Sequence, residues 1–374
     1  FRNVTGVQTC ALPILSFLVI IHEAGHFLVA KKNKIKVKEF GLGYPPRLIR
    51  LFRHKETIFS LNLIPFGGFV QLLGENGEEE GSSPDDSFHH KSAKARLAVI
   101  LAGVLVNFIF GILAFAVVFY RLGIPEPLFE QNRISQILPN SPAAQAGLQI
   151  NTNILAFKVN EQWVEVRAIS EIQNLVNQHA GETLSLRTTL PCENEQCPLA
   201  YEEKSIYIRQ QAEIPEGEGA MGIVFTDVVF KKYPWYLMPL MTIVHAFKQA
   251  FALAYLILQS LWQIIIDLLS GRGLQQEVAG PIGIIDQANT YGFFRGGFLN
   301  ILNFAALLSI NLGIMNLLPI PALDGGRALL ILLEKVFQRK KIEQIAHYLN
   351  YFGYVSLLVL MILVSFNDIR NLFK

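Results

Sequence analysis

Val19-Ile20-Ile21-His22-Glu23-Ala24-Gly25-His26-Phe27-Leu28-Val29-Ala30 sets two histidines and a glutamate inside an apolar run. If the run is helical, His22 and His26 share one face, and each imidazole can offer a nitrogen to the same metal ion. Glu23 is next to His22 but out of line with the pair. Its carboxylate can therefore reach a water beside such an ion instead of competing as a ligand, which is what a general base requires. The plain alternative is a pair of hydrogen-bonded core histidines. Against it stands the cost of placing three ionisable groups together at membrane depth, which calls for a shared reason.

The surrounding chain supports membrane depth. Apolar residues make up 51% of the 374 positions and charged residues only 17%, well below the average soluble domain. The formal net charge of +2 gives no ground for nucleic-acid binding, and the basic residues gather beside apolar runs instead. A spanning helix needs roughly 20 mostly apolar residues. Ala11–Ala30 is the first such run and is followed by KKNKIKVK (Lys31–Lys38); Leu97–Tyr120 is the second and is preceded by KSAKAR (Lys91–Arg96). Both basic clusters lie in one connection, which places it in the cytoplasm and the chain after Arg121 outside. A third run, Phe298–Leu318, leads towards the basic stretch EKVFQRKKIEQ (Glu334–Gln344), and a fourth covers Tyr351–Phe366. About four transmembrane helices follow.

Two stretches resist that simple count. Residues 1–14 contain RNVTGVQTCALPI, which resembles a translated sequencing adapter and is set aside as a non-native tail. Residues 235–296 begin with an apolar segment interrupted by Lys248, Gln259, Gln263 and Asp267. Loop parity favours an interfacial amphipathic helix there, or a crossing paired with a re-entrant return through Gly280–Phe294.

Between residues 123 and 234 the composition turns soluble. ISQILPNSPAAQAGLQ, a helical stretch over Ala168–Ala180, and the strand-like TLSLRTTL and KSIYIRQQAEI predict one inserted α+β domain. Cys192 and Cys197 fall in this domain, and a local disulfide, two free thiols or half of a separate metal site all fit their spacing.

A catalytic zinc site usually has three protein ligands and one open position. Asn316-Leu-Leu-Pro319-Ile-Pro321-Ala-Leu323-Asp324-Gly325-Gly326 can supply the third from another membrane segment. Its prolines disfavour continuous helix and its glycines allow a tight turn around Asp324. Irregular backbone at that depth is tolerated only against protein or a wet cavity. The competing reading is a helix-ending turn in which Asp324 caps the next helix.

HEAGH and NLLPIPALDGG together resemble the two signatures of the site-2 protease family of intramembrane zinc metalloproteases, and within it most closely the bacterial branch that regulates sigma-E. The resemblance implies His22, His26 and Asp324 as ligands of one zinc ion and Glu23 as the catalytic base. It also implies Asn316 as a substrate-positioning residue, although a helix-capping or interhelical asparagine would look the same. FGLGYPPRLIRLF and SLNLIPFGGFVQLLGE resemble a membrane re-entrant β-hairpin whose edge strand meets unwound substrate. AGVLVNFIFG (Ala102–Gly111) resembles the second-helix motif with Val104 where proline is expected, and Gly103 and Asn107 there also suit ordinary close packing.

SPAAQAGLQ and GAMGIVF resemble a PDZ domain, with Asn151-Thr152 in place of the usual Gly-Asp and a possible peptide-binding loop at Met221, Gly222 and Ile223. The implied organisation is 15–122, two transmembrane helices with the zinc motif and the re-entrant β loop; 123–234, an extracytoplasmic PDZ-like domain; 235–296, the interfacial and re-entrant segment; and 297–374, the last two transmembrane helices. The implied activity is regulated intramembrane proteolysis of single-pass proteins, of the anti-sigma-factor or remnant-signal-peptide type. It would take place in the bacterial cytoplasmic membrane, with the lipid bilayer, the protein substrate and a ligand of the PDZ-like domain as partners. The alternative is a non-catalytic membrane receptor that binds peptides through the PDZ-like domain.

Overall fold

The computed structural model describes residues 2–75, 84–127, 132–191, 200–215, 218–225, 228–270, 283–284, 288, 293–294 and 297–372. Cys192, Cys197 and most of Gly280–Phe294 lie outside the described residues. The chain divides into two compact units, one formed by residues 1–121 with 234–374 and the other by 122–233.

In the first unit, α1 (Arg2–Lys32) carries the HEAGH stretch and ends on Lys31 and Lys32, cations that suit the negative end of a helix dipole. The strands β1 (Val37–His54) and β2 (Thr57–Leu72) follow as an antiparallel pair. Their register is doubled: Leu42 faces both Gly68 and Leu61, while Ile49 also faces Leu61. The first half of β1 therefore lies between the two ends of β2, and its second half pairs outside residues 57–62. The ribbon has four lanes, with Gly68–Leu72 along one outer edge.

Helix α2 (Ala93–Leu122) packs close on α1 because of glycine. A Cβ at Gly25 would stand 2.6 Å from the carbonyl oxygen of Ala102, so only a residue without a side chain fits this crossing. Ala30, Val37, Leu72, Val99, Ala328 and Ile331 share one apolar cluster, which ties α1, the hairpin and α2 to the segment that follows Asp324.

The second unit contains β3 (Ile124–Pro127), β4 (Ile134–Ile137), the short α3 (Pro142–Gln145), β5 (Ile154–Val159), β6 (Gln162–Glu165), α4 (Ile169–Gln178), β7 (Thr183–Thr189), β8 (Tyr201–Tyr207), β9 (Ile223–Phe225) and β10 (Val228–Lys231). An antiparallel sheet runs in the order β6-β5-β7-β8, and β4-β9 and β3-β10 form separate pairs. Its core includes Ile134, Phe157, Ile172, Leu186, Ile206 and Met221. Ser141 caps α3 by accepting the Ala144 N–H at 3.2 Å. At the altered turn, Asn151 adopts φ +62°, a left-handed conformation that asparagine tolerates better than most residues.

Returning to the first unit, α5 (Met238–Leu269), α6 (Phe298–Leu317), α7 (Asp324–Leu333) and α8 (Arg339–Leu372) complete the chain. The described residues hold five helices long and apolar enough to cross a membrane, against the four expected. The fifth is Met238–Asp267. Its polar residues do not break it, because the Gln263 amide donates to Asp267 Oδ1 at 3.0 Å one turn along the same helix.

Candidate active site

The segment between α6 and α7 turns back on itself as its prolines and glycines require. Ala322 takes φ +73°, and its N–H donates to Asn350 Oδ1 of α8 at 3.2 Å. A Cβ at Gly325 would lie 2.1 Å from the Leu317 carbonyl oxygen, and one at Gly326 would lie 2.2 Å from that of Ile320. The two glycines thus allow the start of α7 to fold against the end of α6, which carries Asp324 over the face of α1 that bears the histidines.

There the structure brings three candidate ligand atoms together. Nε2 of His22 is 3.0 Å from Oδ2 of Asp324, Nε2 of His26 is 3.3 Å from the same oxygen, and the two Nε2 atoms are 3.2 Å apart. Zinc bonds of about 2.0–2.1 Å in tetrahedral geometry place ligand atoms about 3.3 Å apart, so the donor set fits that ion. His26 Nδ1 donates to the Val99 carbonyl at 2.8 Å. A carbonyl can only accept, which puts the proton on Nδ1 and leaves the Nε2 lone pair facing the centre. Gly103 of α2 completes the cradle: a Cβ there would stand 2.4 Å from His26 Nε2 and 2.8 Å from His22 Nε2.

Glu23, Asn316 and the outer edge of the hairpin surround this point. All three line a cavity of about 1150 Å³ that also reaches Glu39, Asn62 and Tyr351. The Asn316 amide is 3.3 Å from His22 Nε2, on the side of the imidazole that faces Asp324. A Cβ at Gly68 would come within 3.3 Å of Glu23 Cγ, so the edge strand passes directly over the candidate base. Charged lining comes from the Arg47–Glu39 and Arg327–Glu75 ion pairs, an aqueous-compatible wall whose residues sequence reading left without a role.

The remaining candidates lie in the second unit. Met221 is buried in its core, and the Gly222 N–H donates to the Gly219 carbonyl at 3.0 Å. Gly222 has φ +71° and approaches Ser141 so closely that a Cβ would stand 2.2 Å from the serine Cβ. Ile223 opens β9 opposite Ile137. Of this loop, sequence reading located the glycine but not its contact with Ser141.

A family model described as peptidase family M50 matches residues 10–360. Among curated proteins, the zinc metalloprotease RasP of Geobacillus kaustophilus is 25% identical, with 97% of each chain covered. Two further relatives carry provisional zinc-metalloprotease names: one from Clostridium acetobutylicum, 29% identical with 96% of each chain covered, and one from Helicobacter pylori, 31% identical with 97% of this chain and 99% of the relative covered.

Proposed function

The chain belongs to peptidase family M50, and from that premise we propose that it is an intramembrane zinc metalloprotease cutting a membrane-embedded segment of a single-pass protein. The observation that carries the reading is the convergence of His22, His26 and Asp324, from two separate elements, at the separations a tetrahedral ion requires. Relatives named as zinc metalloproteases agree with it.

His22, His26 and Asp324 would hold the ion through Nε2, Nε2 and Oδ2. When bound, zinc supplies a Lewis acid that polarises the scissile carbonyl. Glu23 takes a proton from the attacking water as its oxygen bonds to the scissile carbonyl carbon, then delivers that proton to the amine nitrogen as the peptide C–N bond breaks. Asn316, beside His22, holds the substrate carbonyl in line. The edge strand Gly68–Leu72 accepts the substrate as an added strand. Such pairing exposes a peptide bond that a helix would shelter behind its own hydrogen bonds.

The unit 122–233 stands outside the cytoplasm in this reading, and the enzyme resides in the bacterial cytoplasmic membrane. Anti-sigma factors or remnant signal peptides are the substrate types. The loop Met221–Ile223 is the place for a peptide ligand, and because the Gly222 N–H is already engaged, binding would rely on the backbone of β9. Reconstituted into liposomes with a single-pass substrate, the wild type should cleave and Glu23→Gln should not. Retained cleavage in that variant would refute Glu23 as the base.

A further inference from the structure

We infer that Asn107 is a positioning residue for the metal centre: its side-chain oxygen holds the His22 proton on Nδ1 and so directs Nε2 at the ion. The inference rests on the reading of His22 as a ligand.

Asn107 lies fully buried in α2, and its amide nitrogen Nδ2 is placed 3.2 Å from Nδ1 of His22. Its Oδ1 is buried without a partner among the described residues. An imidazole that binds a metal through Nε2 carries its hydrogen on Nδ1, and that hydrogen needs an acceptor. Rotating the Asn107 amide end for end exchanges two atoms of nearly equal size. Oδ1 then accepts from His22 Nδ1–H, and the acceptor that was buried without a partner gains one.

The backbone around Asn107 is held as a positioning role requires. Ser309 of α6 donates its hydroxyl to the Asn107 carbonyl at 2.8 Å, and Gly111 admits Ile310 at a distance no Cβ would allow. Helix α2 thus meets both imidazoles two turns apart on one face, with the Val99 carbonyl at His26 Nδ1 and the Asn107 side chain at His22 Nδ1; in the rotated amide Oδ1 becomes the second acceptor. Gly103, between them, leaves the space for the ion. An asparagine serving only interhelical packing has no need to aim at the second nitrogen of a ligand ring.

Zinc affinity of the purified full chain, measured by competition with a chromogenic chelator, tests this without reference to catalysis. Asn107→Leu keeps the size and removes the acceptor, and it should weaken zinc binding about 10- to 100-fold. Asn107→Asp keeps an acceptor oxygen at the same reach and should recover most of that loss. Should Asn107→Leu bind zinc as the wild type does while His22→Ala has lost it, the proposal alone is overturned. An equal loss in both Asn107 variants would show a structural role and overturn it too. If His22→Ala itself keeps zinc, the ligand reading beneath it fails.

Discussion

His22, His26 and Asp324 meet because each is presented by backbone with no alternative course, and the residues without side chains matter as much as the ligands. At Gly103 an added methyl would point into the space between the two Nε2 atoms. Gly103→Ala should therefore abolish zinc binding while the chain still folds, which metal analysis of the purified variant will show. Glu23 is outside the donor set, so Glu23→Gln should keep its zinc and lose activity by about 10²- to 10⁴-fold. Spacing alone made the two histidines and Glu23 legible in the sequence. The contacts of Val99 and Asn107 with the imidazoles were not, because they depend on how α2 is rotated against α1. The available signal was an asparagine in the middle of an apolar run, where a polar group needs a partner.

Among the elements, the turn from α6 into α7 is the most demanding. Its Pro-Gly chemistry announced a break in the sequence, and the structure gives the reason: the glycine positions lie against the carbonyls of Leu317 and Ile320. Gly325→Ala should lower stability by about 1–3 kcal/mol through overpacking and should loosen zinc by displacing Asp324, measurable as a lower melting temperature and a lower metal content. The edge strand offers a different test. Valine at Gly68 would crowd Glu23 without touching the ligands, so Gly68→Val should retain zinc and cleave about 10-fold or more slowly.

In the second unit, the first turn of α4 depends on Glu171. Its carboxylate accepts the N–H groups of Arg167 and Ala168, which hold it below the usual glutamate range. A depressed carboxylate stabilises the folded state fully above the ordinary glutamate range and loses that contribution as pH falls through its own lowered value. Hydrogen-exchange protection in this turn should drop on acidification, and Glu171→Gln should remove the pH dependence.

At the scale of the molecule, every residue of the proposed site belongs to the unit formed by 1–121 and 234–374. Replacing residues 122–233 with a short linker should therefore leave zinc stoichiometry at the wild-type value, whatever happens to substrate choice. A separate unit between the helices was readable from composition, because its strands alternate where the flanking helices do not. For the fifth long helix the sequence left two courses open, an interfacial helix or a crossing with a re-entrant return, because its isolated polar residues could be read as a polar stripe. In the folded chain Gln263 and Asp267 satisfy each other, and one such pair leaves the helix apolar enough to cross.

X-ray absorption at the zinc edge of the purified protein tests the central claim most directly. Two imidazole nitrogens and a carboxylate oxygen at about 2.0–2.2 Å, with the spectrum altered by Asp324→Ala, is the predicted result. A shell containing sulfur, or a spectrum that Asp324→Ala leaves unchanged, would contradict it.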